Sequence, residues 1–229
     1  MKIIYVRHGH PDYKTDTLTD LGRLQAAAAA ERLKAYGISE IYSSPRGRAL
    51  ETAQYTADAL GLSVRVIDPF REIIWGDPNT APGIRKITPW EHVHKAVAEG
   101  RPISASDWRE KEPWQHDKVI EGVRVAIEGF EAFLEEQGYR REGDLYRLVG
   151  ENTDKAVAIF GHGGHSTVIF SHLMGIPFPF ACQLFDLDFT NISVLRFDDA
   201  PAAFTHPRFE MFGNAEHIRG IEAKKGFMP

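Results

Sequence analysis

The chain has 229 residues, of which 43% are hydrophobic and 26% charged, the balance of a globular protein long enough to bury a full core. A formal net charge of -5 argues against nucleic acid or an anionic membrane as the main partner, while leaving room for a small anion in a local basic pocket. Cys182 is the single cysteine, which excludes an internal disulfide and a thiolate metal cluster. The opening apolar run, Ile3 to Val6, is too short for a signal peptide or a membrane span, so the expectation is a cytoplasmic protein.

In chain order, Lys2 to Val6 reads as a strand covered on both faces. The stretch TDLGRLQAAAAAERLKAY predicts a helix with Thr19 as N-cap, Leu21, Leu24, Ala28 and Leu33 along its apolar face, and Gly37 as its stop. EIYSS follows as a short strand. A second helix is predicted from SPRGRALETAQYTADALG, with Ser44 as N-cap, Pro45 at its first position, Ala49, Ala53, Ala57 and Leu60 along one face, and Gly61 as its end. VRVI is a third strand.

Between Asp68 and Lys118 the character changes, since all four tryptophans (Trp75, Trp90, Trp108, Trp114) and six of the 13 prolines fall there. One short helix stands out, with Thr88 and Glu91 as a capping box, Pro89 first and Gly100 as the stop. The remainder, approximately 70–118, reads as a structured insertion in a single domain spanning 1–229.

Helical periodicity returns at Val119, Val123, Ala126, Ile127, Phe130 and Leu134, and AVAIF is a second buried strand. STVIFSHLMG is another helix, stopped by Gly175 and Pro177, while QLFDLDF and ISVLRF read as neighbouring strands, before RFEMFGNAEHI closes the pattern. Alternating strand and helix predicts a three-layer α/β/α sandwich with a mainly parallel sheet, an antiparallel strand late in the chain and the insertion over the active-site edge.

The first strand ends in RHGH and the later buried strand in GHGG, so a parallel sheet brings His8 and His162 to the same carboxyl edge, where open α/β sheets bind ligands. Gly9, Gly163 and Gly164 allow close backbone approach to an anion, and the following helix points its N-terminus there. Arg7 offers a fork of donors matched to phosphate. Arg48 sits in a first helical turn, where the helix dipole disfavours a cation and a bound anion would compensate it. Alone, each residue has an ordinary explanation: a hydrogen-bonded strand-end histidine, a solvated arginine, or in Glu72 a surface carboxylate.

Together, in order, the motifs resemble the histidine phosphatase superfamily, the group that includes cofactor-dependent phosphoglycerate mutases and many small phosphomonoesterases. VRHGHP matches the R-H-G signature, LTDLGRLQA and IYSSPRGRALETA match two further stretches, FREIIWG resembles the acid-bearing segment, FGHGGHS the second H-G motif, and FGNAEHI the ending. The resemblance covers nearly the whole chain. It implies that His8 is the nucleophile forming a phosphohistidine, its other ring nitrogen held by a carbonyl near Gly9. It further implies that Arg7, Arg48 and a protonated His162 surround the transferred oxygens, with Gly163 and His10 in the substrate site and no metal or cofactor. Glu72 is the expected proton donor, its pKa raised beside Ile73, Ile74 and Trp75, with Asp12, Asp77 and Glu110 as rivals.

The implied reaction is hydrolysis of a small organic phosphate, with no nucleic-acid or membrane partner. Phosphoglycerate mutase-type transfer is the alternative, but that branch continues its signature with Ser and Asn donors where this chain has His10, Pro11, Asp12 and Tyr13. A metal-dependent hydrolase, from the HGH and HGGH pairs, is opposed by the neighbouring Arg7. A non-catalytic phosphate binder is opposed by the complete set Arg7, His8, Arg48 and His162. Substrate choice falls to the region from Trp75 to Gln115 with Arg85, Lys86, Lys95, Arg101, Arg109 and Lys111, although its tryptophans can equally form a satellite core. His165 and His217 are expected to support the pocket.

Overall fold

The computed structural model describes residues 1–81, 83–150, 154–197 and 204–221. The strands are β1 (Lys2–Arg7), β2 (Pro11–Asp12), β3 (Thr17–Leu18), β4 (Ile38–Ser43), β5 (Val64–Val66), β6 (Tyr139–Glu142), β7 (Leu145–Leu148), β8 (Ala156–Gly161), β9 (Ile192–Arg196), β10 (Phe204–Thr205) and β11 (Arg208–Asn214). The helices are α1 (Asp20–Leu33), α2 (Gly47–Leu60), α3 (Pro89–Ala98), α4 (Val119–Glu136), α5 (Gly163–Met174) and α6 (Phe178–Leu184).

The most apolar strands lie at the centre of the main sheet. Its order is β11-β9-β1-β8-β4-β5, with β1, β8, β4 and β5 parallel and β9 antiparallel to both β1 and β11. Ile3, Ile4 and Val6 of β1 and every residue of β8 are buried, each large aliphatic side chain contributing about 1.5–3 kcal/mol relative to exposure. Strand alternation divides them between two layers. Ile3, Tyr5, Val157 and Ile159 pack with α4 and α5 through Phe130, Phe133, Ile169 and Phe170. Ile4, Val6, Ala158 and Phe160 pack against Leu33 of α1 and Ala53 and Ala57 of α2. The sandwich expected from the alternation is therefore present, with β9 as the antiparallel strand.

Thr19 caps α1 by accepting from the Gly22 amide, and Thr88 and Glu91 form the full capping box on α3. The buried face of α1 is Gly22, Gln25, Ala26, Ala29, Ala30 and Leu33, and Leu24, expected inside, is exposed. A run of five alanines gives little hydropathic contrast by which to choose the face. The expected cap Ser44 is also displaced. Helix α2 begins only at Gly47, after Arg46, and Ser44 Oγ instead accepts from the Arg46 amide at 3.2 Å in the preceding turn.

QLFDLDF is not a strand. Pro177 initiates α6, which buries Phe178, Ala181 and Cys182, and residues after Leu184 form an irregular loop that reaches β9 through a turn at Thr190, φ +52°. The strand neighbouring β9 at the sheet edge is β11. The alternation of Leu and Phe with Asp186 and Asp188 mimics a strand, but the helix uses its first two residues. The hairpin of β6 and β7, joined to β10 in a separate three-stranded sheet, has no counterpart in the sequence expectation. Its charged residues hide the alternation.

Within 71–118, α3 is the single α-helix among the described residues. Trp108 and Trp114 are buried edge to face at 5.7 Å, in the same core as Tyr5 and Phe170, whereas Trp75 and Trp90 are half-buried. No single helix among the described residues is long and apolar enough to cross a membrane.

Candidate active site

Parallel register puts the two histidines side by side. Arg7 of β1 pairs with Gly161 of β8, and the next residues, His8 and His162, leave the sheet at the same edge with ring centroids 5.2 Å apart. Ser43 of β4 pairs with Phe160, which places Ser44 against the other side of His162, Oγ to Nε2 2.7 Å. Three strand ends thus build one wall, and α2 adds Arg48 from the next segment of chain.

The His8 ring has a defined tautomer. Its Nδ1 lies 2.7 Å from the Gly9 carbonyl, which can only accept, so Nδ1 carries the proton. Its Nε2 then presents a lone pair, which accepts from Arg48 Nε at 3.2 Å. Burial holds the His8 pKa well below that of a free imidazole, and the charges of Arg7 and Arg48 push it the same way. The turn that sets this geometry tolerates no side chain at Gly9, where a Cβ would lie 2.6 Å from the Gly22 carbonyl oxygen of α1. Thr52 of α2 closes it by accepting from the Gly9 amide at 3.1 Å.

Arg7 reaches away from the strand, with one terminal nitrogen on the Leu187 carbonyl at 2.5 Å and its guanidinium 4.3 Å from the Phe189 ring centroid. Its Nε and the Nδ1 of His162 are buried atoms without a hydrogen-bond partner. The surroundings of His162 favour its neutral form over the imidazolium. Burial lowers its pKa most, and His8 and Arg48 lower it further. Gly163 lies against the Arg7 guanidinium, since a Cβ there would stand 3.3 Å from Cζ.

Glu72 approaches from the opposite side, at the N-terminus of α5. Its Oε1 accepts from the amides of Ile73 and His165, both at 3.0 Å, and Oε2 from that of Gly164 at 3.4 Å. Burial raises its pKa above the usual glutamate value, against the opposing pull of Arg48, the Ile73 amide and Arg7. Of its rivals, Asp77 and Glu110 are exposed and Asp12 accepts from the Lys14 amide. His10 is half-buried, with Nδ1 3.0 Å from Thr19 Oγ1 and its ring edge-on to Phe189.

The supporting histidines are also placed. His165 stacks on Tyr5, whose hydroxyl is 2.7 Å from its Nδ1, and burial lowers its pKa to about 3. His217 Nε2 is 3.1 Å from Thr190 Oγ1, while the Thr190 amide donates to the His8 carbonyl. Each histidine of HGH and HGGH therefore has its own separate partner. Among the described residues no group of three or more His, Cys, Asp or Glu is arranged to hold a metal ion.

The sequence reading missed the roles of Ser44, Thr52, Tyr13 and Asp16. The Tyr13 ring lies 5.4 Å from the Arg48 guanidinium. Asp16 Oδ1 pairs with Arg48 at 2.5 Å, which supplies the counter-charge that the helix-turn argument required. Ser44 lay within a recognised motif and was readable as a site residue, whereas Asp16 carried no signal.

The family model described as histidine phosphatase superfamily (branch 1) matches residues 3–208. The chain belongs to this superfamily. A protein named probable phosphoglycerate mutase GpmB from Yersinia enterocolitica is 27% identical over 230 residues, covering 95% of each chain. The solved structure of a mycobacterial glucosyl-3-phosphoglycerate phosphatase superposes with a TM-score of 0.63 at 25% identity, over 93% of this chain and 98% of that one. A phosphoserine phosphatase variant from Entamoeba histolytica, solved with phosphoserine, shares the fold at a TM-score of 0.62 and 21% identity, over 95% and 98% of the two chains. Membership of the histidine phosphatase superfamily accounts for the placement of two H-G motifs at adjacent strand ends.

Proposed function

We propose that the protein is a metal-independent phosphomonoesterase that hydrolyses a small organic phosphate through a phosphohistidine on His8. The observation that carries this reading is the His8 tautomer: Nδ1 is locked on the Gly9 carbonyl while Nε2 keeps its lone pair among Arg48, Arg7 and His162. Nε2 attacks phosphorus in line with the leaving oxygen, while the proton stays on Nδ1, donated in a hydrogen bond to the Gly9 carbonyl. Arg7, Arg48, Gly163 and His162 take the phosphoryl oxygens, His10 borders the substrate, and the unpaired Arg7 Nε and His162 Nδ1 gain partners. A dianion there favours the protonated form of His162, reversing the shift seen in its absence.

Glu72 donates its proton to the leaving alkoxide and afterwards draws one from the water that attacks the phosphohistidine. A raised pKa suits both half-reactions. The neighbouring cleft of about 380 Å³, lined by Ile73, Ile74, Trp75, Lys86 and Lys118, supports a substrate with an apolar body and a second anionic group. Most other cations of this region are already engaged: Arg85 with Glu91, Lys95 and Arg101 with Glu99, Lys111 with Asp107, and Arg109 with the face of Trp108. Phosphoserine, phosphoglycerates and glycosylated phosphoglycerates each carry such a second anionic group, a carboxylate, beside the phosphate.

Phosphoglycerate mutase activity is the second reading, favoured by the relatives of that name and opposed by His10, Pro11, Asp12 and Tyr13 in place of the Ser and Asn donors. The deciding experiment assays phosphate release from a panel of monoesters in excess chelator, followed by rapid acid-free quenching to trap phosphohistidine. The expected result is release by the wild-type chain and neither turnover nor trapped phosphate in a folded His8→Ala variant. Trapping of phosphate on that variant would remove His8 from its role, and isomerisation of phosphoglycerate faster than its hydrolysis would select the mutase.

A further inference from the structure

Asp16 lies between β2 and β3 with φ at +55°, a left-handed conformation that non-glycine residues adopt rarely. Among the described residues Thr190 is the one other non-glycine residue with positive φ, at +52°, and its amide donates to the His8 carbonyl. Both unusual backbone positions therefore adjoin the cradle, where such conformations tend to be retained for function. The carboxylate that this conformation presents is fully used. Oδ1 holds a terminal nitrogen of Arg48 at 2.5 Å, and Oδ2 accepts from the Gly47 amide, the first of α2, at 3.0 Å.

The consequence reaches the nucleophile in two steps. Arg48 is nearly buried, its side chain 10% exposed, and its Nε donates to His8 Nε2. A guanidinium is planar, so fixing one terminal nitrogen and the Nε fixes the plane of the whole fork. Asp16 supplies the first of these restraints, and it also places a negative charge at a helix N-terminus that carries a cation, where the dipole favours an anion. The loop is pinned at its far end, where the Leu18 amide donates to Glu51 Oε2 of α2 at 2.7 Å. Gly47 has no room to vary, because a Cβ there would stand 2.2 Å from the Asp16 carbonyl oxygen.

We infer that Asp16 is the positioning residue of the phosphate cradle: its carboxylate orients the Arg48 guanidinium against the attacking nitrogen of His8. The inference rests on the phosphomonoesterase reading. Asp16 touches no reacting atom and acts through Arg48 alone, so removing it matters only while Arg48 is present.

The test is steady-state hydrolysis of p-nitrophenyl phosphate by the full chain, for wild type, Asp16→Asn, Asp16→Gly, Arg48→Ala and the double variant Asp16→Asn with Arg48→Ala. Asn keeps an acceptor for the Gly47 amide without the charge, and Gly relieves the backbone while removing the carboxylate. Each Asp16 variant is expected to lose about tenfold or more in kcat/KM while its melting temperature stays within a few degrees, as for a misplaced catalytic group. The double variant is expected to be no slower than Arg48→Ala, the non-additivity of two residues acting as one unit. Full activity in Asp16→Gly, or losses that multiply in the double variant, would reduce Asp16 to a turn residue. An inactive wild type overturns the phosphatase reading itself, whereas an active wild type with unaltered Asp16 variants overturns this inference alone.

Discussion

Two helices begin at the same edge of the sheet, and each receives a carboxylate from a distant segment. At α2 the donor is Asp16, partly exposed and neutralised by direct contact with Arg48. At α5 it is Glu72, which meets three backbone amides and no cation directly, so desolvation prevails and its pKa rises. The same electrostatic element, an anion at a helix N-terminus, is paired with a cation in one place and left desolvated with a raised pKa in the other. Contact with a counter-ion decides between the two uses.

The largest expected break in this contrast is Glu72→Gln. Loss of the proposed proton donor should slow hydrolysis of an alkyl phosphate by about 10²–10⁴-fold, and of p-nitrophenyl phosphate far less, because nitrophenolate leaves without protonation. Equal losses on both substrates would place Glu72 with Asp16 as a positioning group.

The glycines at the two helix starts offer a matched pair of substitutions. In Gly164→Ala the new methyl would lie 2.5 Å from Glu72 Oε1 and 2.8 Å from Ile73 Cγ1, side-chain atoms that can shift. Activity should fall about 10²-fold as the carboxyl moves, with the fold retained. Gly47→Ala meets the backbone oxygen of Asp16 instead, and should destabilise the protein by about 1–3 kcal/mol. Thermal melts and kinetics on both variants check this, and the reverse pattern would contradict it.

The pH profile sharpens the same contrast. The folded pKa of Glu72 is raised, so its acid form is lost only as pH climbs through that value, and kcat/KM on an alkyl phosphate should then fall about tenfold per pH unit. His8 sets no acid limb until well below the ordinary imidazole range, because its pKa is depressed. Glu72→Gln should flatten the alkaline limb. Its survival in that variant would point to another acid.

A smaller effect comes from His165, beneath the α5 start. Its folded pKa of about 3 lies below the unfolded value, so the unfolded chain binds the extra proton and stability is lost as pH falls from near 6.5 toward 3. Between pH 7 and 5 this amounts to about 2 kcal/mol. Denaturant titrations of wild type and His165→Gln should differ in that slope, and identical slopes would assign the acid sensitivity elsewhere.

Much of the scaffold was legible because its signals are local. The unbroken apolar runs of β1 and β8, the Thr19 cap and the Thr88 to Glu91 capping box each depend on residues within one turn or one strand, and all appear where expected. The paired H-G motifs were legible for the same reason, since parallel strands end at one edge. Two readings failed, one against a distant partner and one against its own neighbours. Ser44 looked like a cap, but it lies against His162, 118 residues away, and α2 starts only at Gly47, whereas QLFDLDF looked like a strand although the adjoining α6 takes its first two residues.

The amino-acid sequence by itself determined the sandwich, the pairing of His8 with His162 and the presence of two arginines near them, because apolar periodicity and strand direction suffice to place those groups. Only the tertiary structure decided that Arg48 Nε meets the Nε2 of His8, why Arg48 is tolerated in a first helical turn, and that Glu72 lies against the amides of α5. Those outcomes depend on hydrogen-bond directions and desolvation between segments up to 93 residues apart, which no local pattern encodes.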